Sequence, residues 1–142
     1  MTASILYRIA SVLLVLFAAG HQLGFRATKP SWGVDAVVAS MQTTRFDVNG
    51  FSRTYWDFFS GFGFFVTVLL LFAAVLCWQL GGLGAEQLRS LRIVNWALAL
   101  CFVLVAVFTW RYFFLVPGVF SSAVAACLVL AAWLAGNSTI SV

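Results

Sequence analysis

Charge is scarce in this chain. Asp, Glu, Lys and Arg together make up 8% of it, eight basic residues against four acidic ones. An ordinary soluble domain carries about 25% charged and roughly 45–50% apolar residues. Here apolar residues reach 63% and aromatics 17%. So few charges cannot cover that much apolar surface in water, which excludes a soluble globular domain, and such hydrophobicity excludes a disordered chain. No basic run or basic helix face occurs, which excludes nucleic acid as a partner. Histidine occurs once, and cysteine three times, at Cys77, Cys101 and Cys127. The cysteines lie in apolar runs, are odd in number and form no C-x-x-C, so they read as small packing residues. Nucleophile elbow, H-E-x-x-H and phosphate-binding glycine loop are all missing, so no catalytic signature is present.

What is there is membrane-spanning sequence. A membrane helix needs about 20 mostly apolar residues. Four segments qualify, at about 5–25, 57–80, 93–116 and 119–135. Strands of a membrane barrel would alternate with period two. Residues 64–78 do not alternate, so the expected fold is all-α, a four-helix transmembrane bundle in one domain. Arg8 precedes the apolar run 9–19, and Ala18-Ala19-Gly20 resembles a signal-peptide cleavage site. The sequence retains this segment, so it reads as a signal anchor that forms the first span.

The connections differ in character. Val116-Pro117-Gly118 predicts a tight turn between antiparallel third and fourth spans. Gly81-Gly82-Leu83-Gly84 ends the second span, and Glu86 with Arg89 predicts an early, extramembrane start to the third helix. The first two spans are separated by 31 residues, 26–56. Pro30-Ser31 is a helix-start signal. Val34, Val37, Val38 and Met41 then follow at helical spacing, which predicts a short amphipathic helix over about 32–43, on the membrane surface or folded over the bundle end. Asn49-Gly50 marks a turn, and Ser52 is the expected cap of the second span.

Four spans place both termini on one membrane side, with Arg8, Arg89 and Arg92. The long loop lies on the other side, with Arg26, Lys29, Arg45 and Arg53, and Arg111 near the end of the third span. Counting cations favours the loop side as cytoplasmic. Arg8 ahead of a dominant first span favours the opposite, and the loop cations alternate with Asp35, Asp47 and Asp57; the termini are read as cytoplasmic. Most Trp and Tyr residues read as interface belts.

Polar side chains gather toward the loop end. His21 and Gln22 lie late in the first span with Arg26 just beyond, Asp57 opens the second span with Arg53 one turn earlier, and Arg111 is flanked by Trp110 and Tyr112. Ionisable groups near a bilayer tend to pair, or to face the bundle interior or a wet cavity. Asp57 can pair with Arg53 on its own helix or with Arg111 across the bundle. Gly20 and Gly24 form a G-x-x-x-G, and Gly61 and Gly63 lie at a similar level, so they serve either close helix packing or room for a ligand. His21 is a candidate ligand-binding or proton-transfer group, against the plainer reading of an interfacial hydrogen-bonder. A single His with no second ligand is a poor metal set.

The stretch Gly20-His21-Gln22-Leu23-Gly24-Phe25, then Phe46-Asp47-Val48-Asn49-Gly50, then Arg53-Thr54-Tyr55-Trp56-Asp57-Phe58-Phe59-Ser60-Gly61-Phe62-Gly63 resembles a family of small, uncharacterised bacterial four-span membrane proteins. The resemblance covers residues 20–63 and the four-span layout. It implies a four-helix bundle with a large first loop in a bacterial inner membrane, and no activity that can be carried over. The layout is also similar in shape to DoxX-like proteins and to membrane glutathione-transferase-type enzymes, whose functional motifs are not visible here.

The leading expectation is a pocket under the first loop, lined by His21, Gln22, Arg26, Arg53, Asp57, Ser60, Arg111 and Tyr112. It would bind a lipophilic small molecule, a lipid or quinone-like compound with a polar head. Arg26 or Arg111 would hold the head, and His21 and Asp57 would orient it. Two other classes are open. One is a membrane enzyme using His21 and Asp57 for proton transfer. The other is a homo-oligomer or accessory subunit docking through small-residue faces such as Ser122/Ala126 and Ala131/Ala135. No cofactor is assigned.

Overall fold

The computed structural model describes residues 2–137. The elements run α1 (Ala3–Gly24), α2 (Asp35–Thr43), β1 (Arg45–Val48), β2 (Phe51–Thr54), α3 (Tyr55–Leu80), α4 (Ala85–Ser90), α5 (Arg92–Tyr112) and α6 (Leu115–Asn137). Four of these helices, α1, α3, α5 and α6, are long and apolar enough to cross a membrane. The protein is an all-α integral membrane protein of four spans. Its described residues divide into two compact units, one of 18–69 and one of 2–17 with 70–137.

In the larger unit all four spans contribute to a bundle. Ala3, Leu6, Tyr7, Ala10 and Leu14 are buried along α1 at intervals of three and four, the spacing of one helical face. Ser11 on the same face donates its hydroxyl to the Ala74 carbonyl of α3 at 2.8 Å. Helices α5 and α6 pack along their length. Ala125, Ala131, Ala132 and Ala135 are buried along α6, and small residues of this kind let helix backbones approach. Ala131 and Ala135, read from sequence as a partner-docking face, are 0% and 1% exposed, so that stripe is used inside the chain. Trp110 donates its indole N–H to Ser122 at 2.9 Å, and a Cβ on Gly118 would come within 3.0 Å of the same ring. Trp110, read from sequence as a belt aromatic, is therefore a packing residue between α5 and α6.

The break between the last two spans lies earlier than the proline suggests. Helix α5 stops at Tyr112, and α6 already includes Pro117 and Gly118. Proline is tolerated there because N–H groups of a first helical turn have no partner within the helix. The early start foreseen for the third helix is a separate element: α4 ends at Ser90, and Leu91, its cap, leaves the helical region before α5 begins at Arg92. Asn95 at the start of α5 donates to the Leu88 carbonyl of α4 at 2.7 Å.

The smaller unit contains the end of α1, the long loop and the first half of α3. Pro30–Trp32 forms a single 3-10 turn closed by Gly33 at φ 65°, and α2 follows. The helix was foreseen, but its apolar face is only partly covered: Val34, Val38 and Met41 are half-buried and Val37 is 60% exposed. The rest of the loop is an antiparallel hairpin, with Phe46 opposite Arg53 and Val48 opposite Phe51. Asn49 at φ 49° and Gly50 at φ 84° make its two-residue turn. Both central residues at positive φ match the twist of the flanking strands, which is why Asn-Gly suits this position. Phe46 carries the hairpin onto the start of α3, with ring centroids 4.8 Å from Tyr55 and 6.0 Å from Phe58.

Candidate functional site

The hairpin leads directly into α3, and the junction determines what Asp57 does. Ser52, the cap expected from sequence, sits within β2. Thr54 takes that role. Its hydroxyl accepts the Asp57 N–H at 3.2 Å, and the Asp57 carboxylate accepts the Thr54 N–H at 2.8 Å. This reciprocal pair is a capping box, with an anion placed at the positive end of the helix. The carboxylate therefore has a structural partner in its own first turn. Arg53 donates to the Ser52 carbonyl at 2.9 Å and lies 5.3 Å from the Phe51 ring, so the expected Arg53–Asp57 ion pair does not form.

A groove of about 290 Å³ opens below this junction on the outer face of α3. Arg53 and Asp57 stand at one end, and Phe58, Gly61, Phe62 and Phe65 continue along it. The spacing 57, 61, 65 keeps these positions on one helical face. Gly61 is its floor, since a Cβ there would meet nothing within 4 Å. Phe62 and Phe65 stand nearly edge to face at 6.4 Å and are 65% and 66% exposed.

His21 and Gln22 serve a different contact. His21 Nε2–H donates to the Gly63 carbonyl at 3.0 Å, and its ring stacks on Phe25 at 5.0 Å. The donation requires a proton on Nε2. Thr67 places its hydroxyl 3.0 Å from the Gln22 side-chain oxygen and 3.2 Å from the Gly63 carbonyl. Together these bonds fasten α1 to α3. Gly63 is where the Phe25 ring packs onto α3, because a Cβ there would overlap that ring. Gly20 and Gly24, the G-x-x-x-G of the sequence, have open space at their Cβ positions instead.

The remaining candidates are placed as follows. Arg26 is exposed and lies over the Phe25 and Phe64 rings at 4.9 and 5.2 Å. Ser60 is half-buried on α3 and is not among the groove residues. Arg111 and Tyr112 belong to the larger unit, both exposed, with the guanidinium 5.6 Å from the Tyr112 ring. Of the eight candidates, then, Arg53 and Asp57 share the groove, while His21 and Gln22 share the helix contact. Phe58, Phe62 and Phe65 were not singled out from sequence. Their spacing of four and then three around Gly61 was visible, but in so apolar a span nothing separated it from lipid-facing surface. Among the described residues no three His, Cys, Asp or Glu side chains are grouped to hold a metal.

Comparison with protein-family models, with curated proteins and with solved structures gives no match.

Proposed function

We propose that this chain is a membrane protein that binds a lipophilic small molecule, a lipid or quinone-like compound, in the α3 groove. The observation that carries the reading is the shape and chemistry of that groove: a guanidinium at one end, aromatic walls, and a glycine floor. Arg53 is the head-holding residue, because its fixed fork of N–H donors matches a carbonyl, carboxylate or phosphate oxygen. Phe58, Phe62 and Phe65 take the tail. Asp57 shapes the end of the groove through the cap it forms with Thr54. His21, Gln22 and Arg26 act as supports, holding the α1–α3 contact beside it.

The acid–base alternative loses ground here, because His21 and Asp57 each bond to a different structural partner. An accessory-subunit role keeps one supporting observation, the open Gly20 and Gly24 on α1 beside Leu23, which is 84% exposed. On the same footing as the binding role, we place the chain among the bacterial four-span proteins it resembles, in an inner membrane with its N-terminus cytoplasmic. The motif from Gly20 to Gly63 and the position of Arg8 support this.

The test is the set of lipophilic molecules that co-purify with the protein in mild detergent, measured by mass spectrometry per mole of protein. Gly61→Leu projects into the groove from a position where a Cβ meets nothing within 4 Å, and Arg53→Ala removes the head contact. Both are expected to lower occupancy severalfold, with His21→Ala close to wild type in retained ligand per folded molecule. Equal occupancy in wild type, Gly61→Leu and Arg53→Ala would sink the reading. A stable complex with a second protein and no bound lipophile would favour the accessory role.

A further inference from the structure

We propose that a second groove, at the start of α1 in the larger unit, binds an anionic phospholipid with its phosphate on Arg8. This inference is independent of the α3 groove. The groove measures about 450 Å³ and runs from Ser4, Arg8 and Gly81 down to Ile9 and Val12.

Arg8 is held in place. Its guanidinium carbon lies 3.8 Å from the centroid of the Trp78 ring. On Gly81 a Cβ would come within 2.9 Å of its Nε, and on Gly82 within 3.6 Å of a terminal nitrogen. The cation thus stacks on an indole face and lies against the glycine turn that ends α3. Cation–π contact restrains the guanidinium while leaving its N–H edge free. Among the described residues none accepts a hydrogen bond from Arg8 and none forms an ion pair with it. A half-buried cation at a membrane surface without a protein acceptor is costly, and an anion relieves that cost.

The chemistry of the surroundings selects the anion. A phosphodiester matches the guanidinium fork with two parallel hydrogen bonds. Around and below Arg8 the wall is apolar: Ile5 on one side and Ile9 and Val12 on the other are 49%, 41% and 52% exposed along α1. A free phosphate would leave this wall uncovered, whereas an acyl chain covers it. No acidic side chain lines the groove, so an ammonium headgroup finds no partner there. The occupant that satisfies all three features is a phospholipid with net negative charge.

The experiment is native mass spectrometry of the full chain released from mixed vesicles of phosphatidylglycerol and phosphatidylcholine with matched chains. Wild type is expected to retain phosphatidylglycerol over phosphatidylcholine by about tenfold, because both offer Arg8 the same phosphodiester and only phosphatidylcholine brings a second cation beside it. Arg8→Ala should bring the ratio close to one. Arg92→Ala, which removes an equal charge elsewhere, should retain the preference. Glycerol phosphate in excess should not displace the lipid. A preference that survives Arg8→Ala overturns the proposal. So does an equal loss in Arg92→Ala, which would mark a diffuse basic surface, or displacement by glycerol phosphate, which would mark a site for free phosphate.

Discussion

Gly63 shows how much one hydrogen atom in place of a methyl can decide. Its carbonyl takes the His21 N–H, and the Phe25 ring lies over its Cα. Gly63→Ala forces that ring aside and breaks its stack on His21. Overpacking of this kind costs about 1–3 kcal/mol. We expect a lowered thermal midpoint in detergent for Gly63→Ala, and substantial recovery in the double variant Gly63→Ala/Phe25→Ala. Because the two residues touch, a strictly additive result would show that the clash is not what destabilises the single variant. His21→Ala should cost less, on the order of 0.6–2 kcal/mol, as for other hydrogen bonds between membrane helices. The sequence showed His21 beside a glycine pair, and it showed Gly63. It did not show that Gly63, and not Gly20 or Gly24, is the glycine covered by a ring. That depends on the rotation of each helix about its axis, and nothing in a uniformly apolar span reports it.

The loop-to-helix junction joins a hairpin to a cap. Both signals were written in the chain. Asn49-Gly50 lies between Arg45-Phe46-Asp47-Val48 and Phe51-Ser52-Arg53-Thr54, and this pattern is a hairpin signature. Reading it only as a turn put Ser52 at the helix start and left Asp57 available for a pocket. With the strands in place, the cap moves to Thr54 and Asp57 becomes its counterpart. An N-cap is worth about 1 kcal/mol. Asp57→Ala should lose about that much stability, whereas Asp57→Asn should lose much less, because an amide oxygen still accepts the Thr54 N–H. Thermal melts of the two variants side by side separate the capping role from a role for the charge. If Asn is as damaging as Ala, the carboxylate acts through its charge. Pro117 teaches a related lesson about boundaries. It was read as the stop between spans, yet proline fits a first helical turn, and the true break falls at Phe113 and Phe114.

Taken as a whole, the molecule presents an apolar surface that water cannot solvate. Phe62, Phe72, Val107 and Leu100 are all more than half exposed along the spans. In a membrane that surface meets lipid. Cys101 gives a direct measurement. It is surface-exposed near the middle of α5, while Cys77 is buried on α3. A membrane-impermeant maleimide should therefore leave Cys101 unlabelled in intact membranes and label it after solubilisation in denaturing detergent. Rapid labelling of Cys101 in intact membranes would contradict burial of α5 in the bilayer.

Membrane class, number of spans and their approximate extents were legible without coordinates. Each depends on hydrophobicity accumulated over about 20 residues, a sum that does not depend on neighbours. Partner choice among the polar side chains was not legible in that way. A hydrogen bond forms over about 3 Å, so small differences in helix rotation and loop path decided that His21 met Gly63, Asp57 met Thr54, and Arg53 was left facing a groove.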